Sequence, residues 1–122
     1  MEDPYMSDHD QIYPRATREL AEERRRLAPA TADAFRAFSK SVFADGALPT
    51  KTKQLIAVAV GHVTQCPYCI RSHTHTARQM GATPEEIMEA IWVAAEMRAG
   101  GAYAHTAISL TTMNEEQQRH EP

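Results

Sequence analysis

At 122 residues, 43% hydrophobic and 24% charged, the chain is sized for one compact domain, and is short enough to gain from burying further apolar surface in an oligomer. Thirteen Lys plus Arg against sixteen Asp plus Glu leave a formal charge of −3, which excludes the electrostatic footprint of a nucleic-acid binder. The acidic start Met1-Glu2-Asp3-Pro4 lacks the basic and apolar regions of an export signal, and the longest strongly apolar run, Leu55 to Val60, is far below the ~20 residues of a membrane-spanning helix. A cytoplasmic protein bound to neither nucleic acid nor membrane is expected.

Residues 1–13 carry Pro4, Ser7, Asp8 and Asp10 without sustained periodicity and read as a flexible arm. A short polar helix is predicted from Pro14 to about Leu27, with the proline in its first turn; Arg24-Arg25-Arg26 follows Glu22-Glu23 and reads as a solvated face. After Pro29 a second helix carries Ala34, Phe35, Phe38, Val42 and Phe43 at spacings of three and four, an aromatic stripe expected in the core, and Asp45-Gly46 stops it. Leu48-Pro49-Thr50 connects to a third helix, apolar nearly all round from Leu55 to Val60, which ends between Gly61 and Gln65.

Cys66-Pro67 opens a fourth helix with proline at the first position, closed by Gly81 as the left-handed residue after its end. Thr83-Pro84-Glu85-Glu86 is a complete start signal: an N-cap threonine, a proline behind it, and a glutamate placed for a capping box. Ile87, Ile91, Ala94 and Ala95, with Met88 and Trp92 beside them, form that helix's apolar face. Gly100-Gly101 is read as a break, followed by a last helix from Ala102 to about Met113 and a polar tail over 114–122. The expectation is an all-α domain over residues 14–113, of five or six helices, with a central pair joined at the cysteines.

Those cysteines carry the chemistry. Cys66 and Cys69 lie three apart, and His73 lies four beyond Cys69, so the three side chains share one side of a helix that starts at Cys66. Amides at a helix N-terminus stabilise a thiolate and an imidazole in reach can take the thiol proton, both lowering a cysteine pKa from its free value of about 8.5. Two thiols at this spacing can then cycle between dithiol and disulfide. The same spacing also suits zinc, with Cys66, Cys69, His73 and one of His62, His75 or His105 as ligands. By helical geometry His75 projects away from the His73 face, and Met80, Met88, Met97 and Met113 read as core or interface filler.

From about Leu48 to Ala107 the sequence resembles the AhpD-like, or carboxymuconolactone decarboxylase, family. The resemblance rests on Lys51 through Val60, on Cys66-Pro67-Tyr68-Cys69-Ile70-Arg71-Ser72-His73, and on Gly81 through Ile87, three blocks in the family's order and spacing. It implies an all-α fold assembled into trimers or hexamers, and an alkylhydroperoxidase-like thiol peroxidase or disulfide oxidoreductase in antioxidant defence. The substrate would be a hydroperoxide or disulfide and the reductant an external dithiol, with no cofactor and no metal. It also implies that Cys69 attacks the peroxide, that Cys66 resolves, and that His73 accepts the thiol proton. The family's glutamate that orients this histidine falls at Gln54, and Tyr68 replaces a histidine found in some members. A glutamine hydrogen-bonds an imidazole but cannot stabilise imidazolium by charge. The alternatives are a zinc-binding module, a non-catalytic oligomeric module of the same fold, and a relative of the decarboxylases that lack the cysteines.

Overall fold

A computed structural model of the chain describes residues 12–122, so the flexible arm expected over residues 1–13 lies almost wholly outside it. Five helices follow one another: α1 (Arg18–Leu27), α2 (Pro29–Phe43), α3 (Thr50–Val63), α4 (Pro67–Gln79) and α5 (Pro84–His120). No strand occurs among the described residues.

The core lies between α3, α4 and α5. Val58, Ala77, Ala82 and Ile87 are buried together, with Leu55 and Ile91 packed against them. The small alanines of α4 and of the turn after it let the helices approach closely, and the branched residues of α3 and α5 fill the space between. An ion pair between Lys51 Nζ and Glu86 (2.9 Å) ties the start of α3 to the start of α5.

The connection from α2 into α3 is held by polar groups. Asp45 Oδ1 accepts from the Thr50 backbone N–H (2.7 Å), supplying the cap that Pro49 cannot; these hydrogen bonds from Thr50 hold the Asp45 carboxyl below its ordinary pKa. Thr50 Oγ1 donates to the Phe43 carbonyl at 2.9 Å. Lys53 Nζ donates to the Val42 and Ala44 carbonyls at 2.8 and 2.6 Å, so a lysine of α3 closes the carbonyl end of α2.

Three expectations are corrected. Helix α1 begins at Arg18, not Pro14, because Thr17 is the cap and its Oγ1 accepts from the Leu20 N–H (3.2 Å). Gly100-Gly101 does not break the chain, and α5 runs through both glycines and through the segment expected as a tail, as far as His120. Two glycines cost about 2 kcal/mol of helix propensity, but no cap residue follows them to start a new helix, and good helix formers stand on both sides. The third concerns the aromatic stripe of α2: Phe35 and Phe38 are 69% and 64% exposed, and neither α1 nor α2 buries a single residue in this chain. The four methionines expected as filler are likewise about half exposed.

The basic run of α1 is more than a solvated face. Arg25 makes a two-pronged pair with Asp33 at 2.7 and 2.9 Å, closing the α1–α2 hairpin. Hydrogen bonding between the partners raises the pKa of Arg25 and lowers that of Asp33.

Candidate active site

The site is built where α3 turns into α4, in only three residues. Thr64 closes α3, Gln65 takes a left-handed conformation (φ 56°), and the Cys66 N–H donates to the Gly61 carbonyl (3.0 Å). This is the hydrogen bond of a Schellman turn, with glutamine where glycine is usual. Cys66 is at once the N-cap of α4: its Sγ accepts from the Cys69 N–H at 3.2 Å. One residue therefore ends one helix with its backbone and starts the next with its sulfur.

Cys66 and Cys69 are joined as a disulfide, their Cα atoms 5.2 Å apart. The close approach behind them depends on Gly61, since a Cβ there would lie 3.2 Å from Cys69 Cβ and 3.4 Å from the Ile70 nitrogen. The amide at Cys69, which points at the Cys66 sulfur, belongs to the unpaired first turn of α4. It stabilises negative charge on that sulfur whenever the pair is reduced.

His73 lies one turn beyond Cys69, and its Nδ1 is 2.7 Å from Gln54 Oε1. A carbonyl oxygen can only accept, so Nδ1 carries the proton and the neutral ring keeps its lone pair on Nε2. Gln54 is 5% exposed, and this bond satisfies its Oε1 inside the fold. The Phe43 ring stacks on the imidazole, centroids 5.0 Å apart and planes 25° from parallel. Burial holds the His73 pKa below its ordinary value of 6.5, so at neutral pH the ring is a base and not an acid.

Cys69 and His73 share the wall of a cavity of about 370 Å³, whose other surfaces include Val42, Phe43, Ile56 and Val60. Of the four site residues singled out in the sequence, Cys66 and Cys69 sit at the α3–α4 junction, and Gln54 and His73 meet farther along the interface of the same two helices. His62, His75 and His105 do not line the cavity that Cys69 and His73 share. His62 Nδ1 is held by the Val58 carbonyl of its own helix at 2.8 Å, and His105 Nδ1 by that of Gly101 at 2.6 Å. Among the described residues no three His, Cys, Asp or Glu side chains gather as a metal site requires.

Sequence reasoning missed three contributors. The spacing of α2 predicts Phe43 in the core, but its ring covers the histidine. Gly61 signals a helix ending in the sequence, and in the structure it also makes room for Cys69. Tyr68, noted only as a departure from a family pattern, donates its hydroxyl to the Pro14 carbonyl (2.7 Å), and its ring meets Tyr13 edge-on. The residue between the cysteines thereby holds the segment that leads into α1. No local signal reports the contacts of Phe43 and Tyr68, because they join parts of the chain far apart in sequence.

Comparison with known proteins agrees with this architecture. The model of the carboxymuconolactone decarboxylase family matches residues 29–112. An uncharacterized protein of the cox locus of Paracoccus denitrificans is 62% identical over 102 residues, 84% of this chain and 91% of that protein. Among solved structures, a carboxymuconolactone decarboxylase family protein of Legionella pneumophila is 35% identical, with a TM-score of 0.62 over 80% of this chain and 86% of that one. A family protein of Thermotoga maritima, whose description suggests a part in an antioxidative response, is 26% identical, with a TM-score of 0.54 over 75% of this chain and 97% of that one.

Proposed function

The chain belongs to the carboxymuconolactone decarboxylase family, and on that premise we propose that it is a thiol-dependent oxidoreductase that reduces hydroperoxides through the Cys66–Cys69 pair. The observation that carries this reading is the shared cavity wall: Cys69 and a neutral His73 face the same apolar space, with Cys66 in disulfide reach. A zinc module would need ligands drawn together, which Cys66, Cys69 and His73 alone do not supply. The antioxidative description of the Thermotoga relative supports the same chemistry.

In the proposed cycle the Cys69 thiol gives its proton to His73 Nε2, and the thiolate attacks the terminal oxygen of the hydroperoxide. The O–O bond breaks, the alkoxide leaves with the proton from His73 as an alcohol, and Cys69 becomes a sulfenic acid. Cys66, whose negative charge the Cys69 N–H stabilises, attacks that sulfur as a thiolate after losing its proton to solvent; hydroxide departs, takes up a proton from solvent as water, and the disulfide closes. An external dithiol then returns both cysteines to the reduced state. Gln54 acts by position, fixing the tautomer that leaves Nε2 free, and supplies no charge.

Such a cycle belongs where thiols are kept reduced, which supports a cytoplasmic location. The exposed aromatics of α2 and the uncovered length of α5 support a trimer or hexamer, and a monomer mass in equilibrium sedimentation would overturn that assembly. The test of the activity is Cys69→Ser with a hydroperoxide and excess dithiol. Loss of at least a hundredfold in peroxide consumption is expected, whereas unchanged consumption would sink the reading.

A further inference from the structure

The end of α2 reaches the site, and three of its carbonyls in succession are held by side chains from the start of α3. Lys53 Nζ donates to the Val42 and Ala44 carbonyls (2.8 and 2.6 Å), and Thr50 Oγ1 donates to the Phe43 carbonyl between them (2.9 Å). Carbonyls at a helix end have no partners within their own helix. Helix α2 buries no residue in this chain, so its last turn is fixed by this polar clamp more than by apolar packing. Phe43 sits at the centre of the clamp. Its ring lies on one face of His73, centroids 5.0 Å apart, while Gln54 takes the Nδ1 edge at 2.7 Å. Lys53 lines the cavity that Cys69 and His73 share, yet its ammonium is turned to the two carbonyls.

We propose that Lys53 is a positioning residue of the site, which by holding the last turn of α2 keeps Phe43 seated on the imidazole of His73. The inference rests on the redox reading above, in which His73 accepts the thiol proton, and names a residue that acts on that step through another. A ring laid over one face of an imidazole keeps water from that face, and the charged form loses more hydration than the neutral one. Burial is the cause that holds the His73 pKa low, and the Phe43 ring supplies cover from outside the α3–α4 pair. The charged or titratable groups that share the cavity wall with His73 are Lys53 of α3 and Cys69 of its own helix. Helix α2 adds Val42 and Phe43, and among the described residues α5 adds nothing to the lining. Lys53 can therefore act on His73 as a positive charge in the same wall or by way of the Phe43 ring. Both routes favour the neutral imidazole, but only the second is lost when the ring is removed.

The test starts from the oxidised full chain, whose cysteines do not titrate, and needs no peroxide. Proton NMR signals of the His73 ring, assigned by their absence in His73→Gln, are followed over pH in the wild type, Lys53→Met, Phe43→Ala and the double variant. In Lys53→Met the titration is expected to move up towards 6.5, and the ring-current shift that Phe43 imposes on the His73 protons to shrink. Lys53→Arg, which keeps charge and donors, is expected to restore most of both. Adding Lys53→Met to Phe43→Ala is expected to change the titration no further. An unchanged ring-current shift in Lys53→Met, or an effect of Lys53→Met that persists in Phe43→Ala, would assign Lys53 a direct charge effect and overturn the proposal. A titration that moves down would overturn it as well, since attraction of imidazolium to the Phe43 face would then outweigh burial. If Lys53→Met does not fold, Thr50→Val, which removes the hydroxyl bonds to the Phe43 carbonyl and to Asp45, carries the same expectation. With hydroperoxide and excess dithiol, the acid limb of kcat/KM reports the base of the free enzyme and is expected to follow the His73 titration upward. A limb that stays in place while the titration moves would overturn His73 as proton acceptor and leave the role of Lys53 standing.

Discussion

Helix α4 is entered and left by turns of the same kind made from different residues. At its exit Gly81 sits at φ 90°, the Gly81 N–H donates to Arg78 and the Ala82 N–H to Ala77 (3.1 and 2.9 Å), and the two alanines so joined are buried in the core. Thr83 then opens α5 with both halves of a capping box, at 3.1 and 3.0 Å. Every position there holds a residue suited to its backbone. At its entrance the left-handed position is a glutamine and the cap is a cysteine, whose sulfur is a poorer acceptor than a hydroxyl. The exit turn is built for stability and the entrance gives some of that up, with a cap that is also one sulfur of the disulfide.

Substitutions at the two junctions sharpen this contrast. The largest effect is expected at Gly61, where Gly61→Leu has no room against Cys69 and the α4 backbone; a loss of about 2–3 kcal/mol in urea denaturation at fixed protein concentration is expected, together with a slower reclosure of the disulfide. Next come the two left-handed positions, with opposite signs. Gly81→Ala should cost about 1–2 kcal/mol, whereas Gln65→Gly should gain up to about 1 kcal/mol by the same measurement. A gain at both positions would remove the distinction between the turns. Thr83→Ala, which deletes the α5 cap, should cost about 1 kcal/mol.

The smallest expected effect is one of pH. Burial lowers the His73 pKa in the folded chain, so as pH falls below about 6.5 the unfolded chain binds the proton first and stability declines until the folded-state value is passed. Above that window both states are neutral and this group contributes no slope. His73→Gln should flatten the profile there. Gln54→Glu should reverse it, since a carboxylate beside Nδ1 raises the histidine pKa and adds stability that is lost as pH rises through the new value. Denaturation midpoints from pH 5 to 8 check both variants.

Much of the fold follows from local signals. Pro67 at a helix start, Gly81 after a helix end and the Thr83–Glu86 box all act within a few residues, so they read the same in the sequence and in the structure. The spacing of Cys66, Cys69 and His73 is legible for the same reason, being fixed by helical periodicity. The glycine pair of α5 misled because its cost is spread over a helix of 37 residues that tolerates it.

What the sequence determined alone is the set of helices around the cysteines and the presence of a sulfur pair with a histidine in register. Tertiary structure decided the state of that histidine, through Gln54 nineteen residues earlier and through Phe43 on another helix. It also placed Cys69 beside that histidine in the wall of one cavity. Such choices depend on which helix faces pack together, and packing is a sum over residues distant in sequence, so no local pattern contains it.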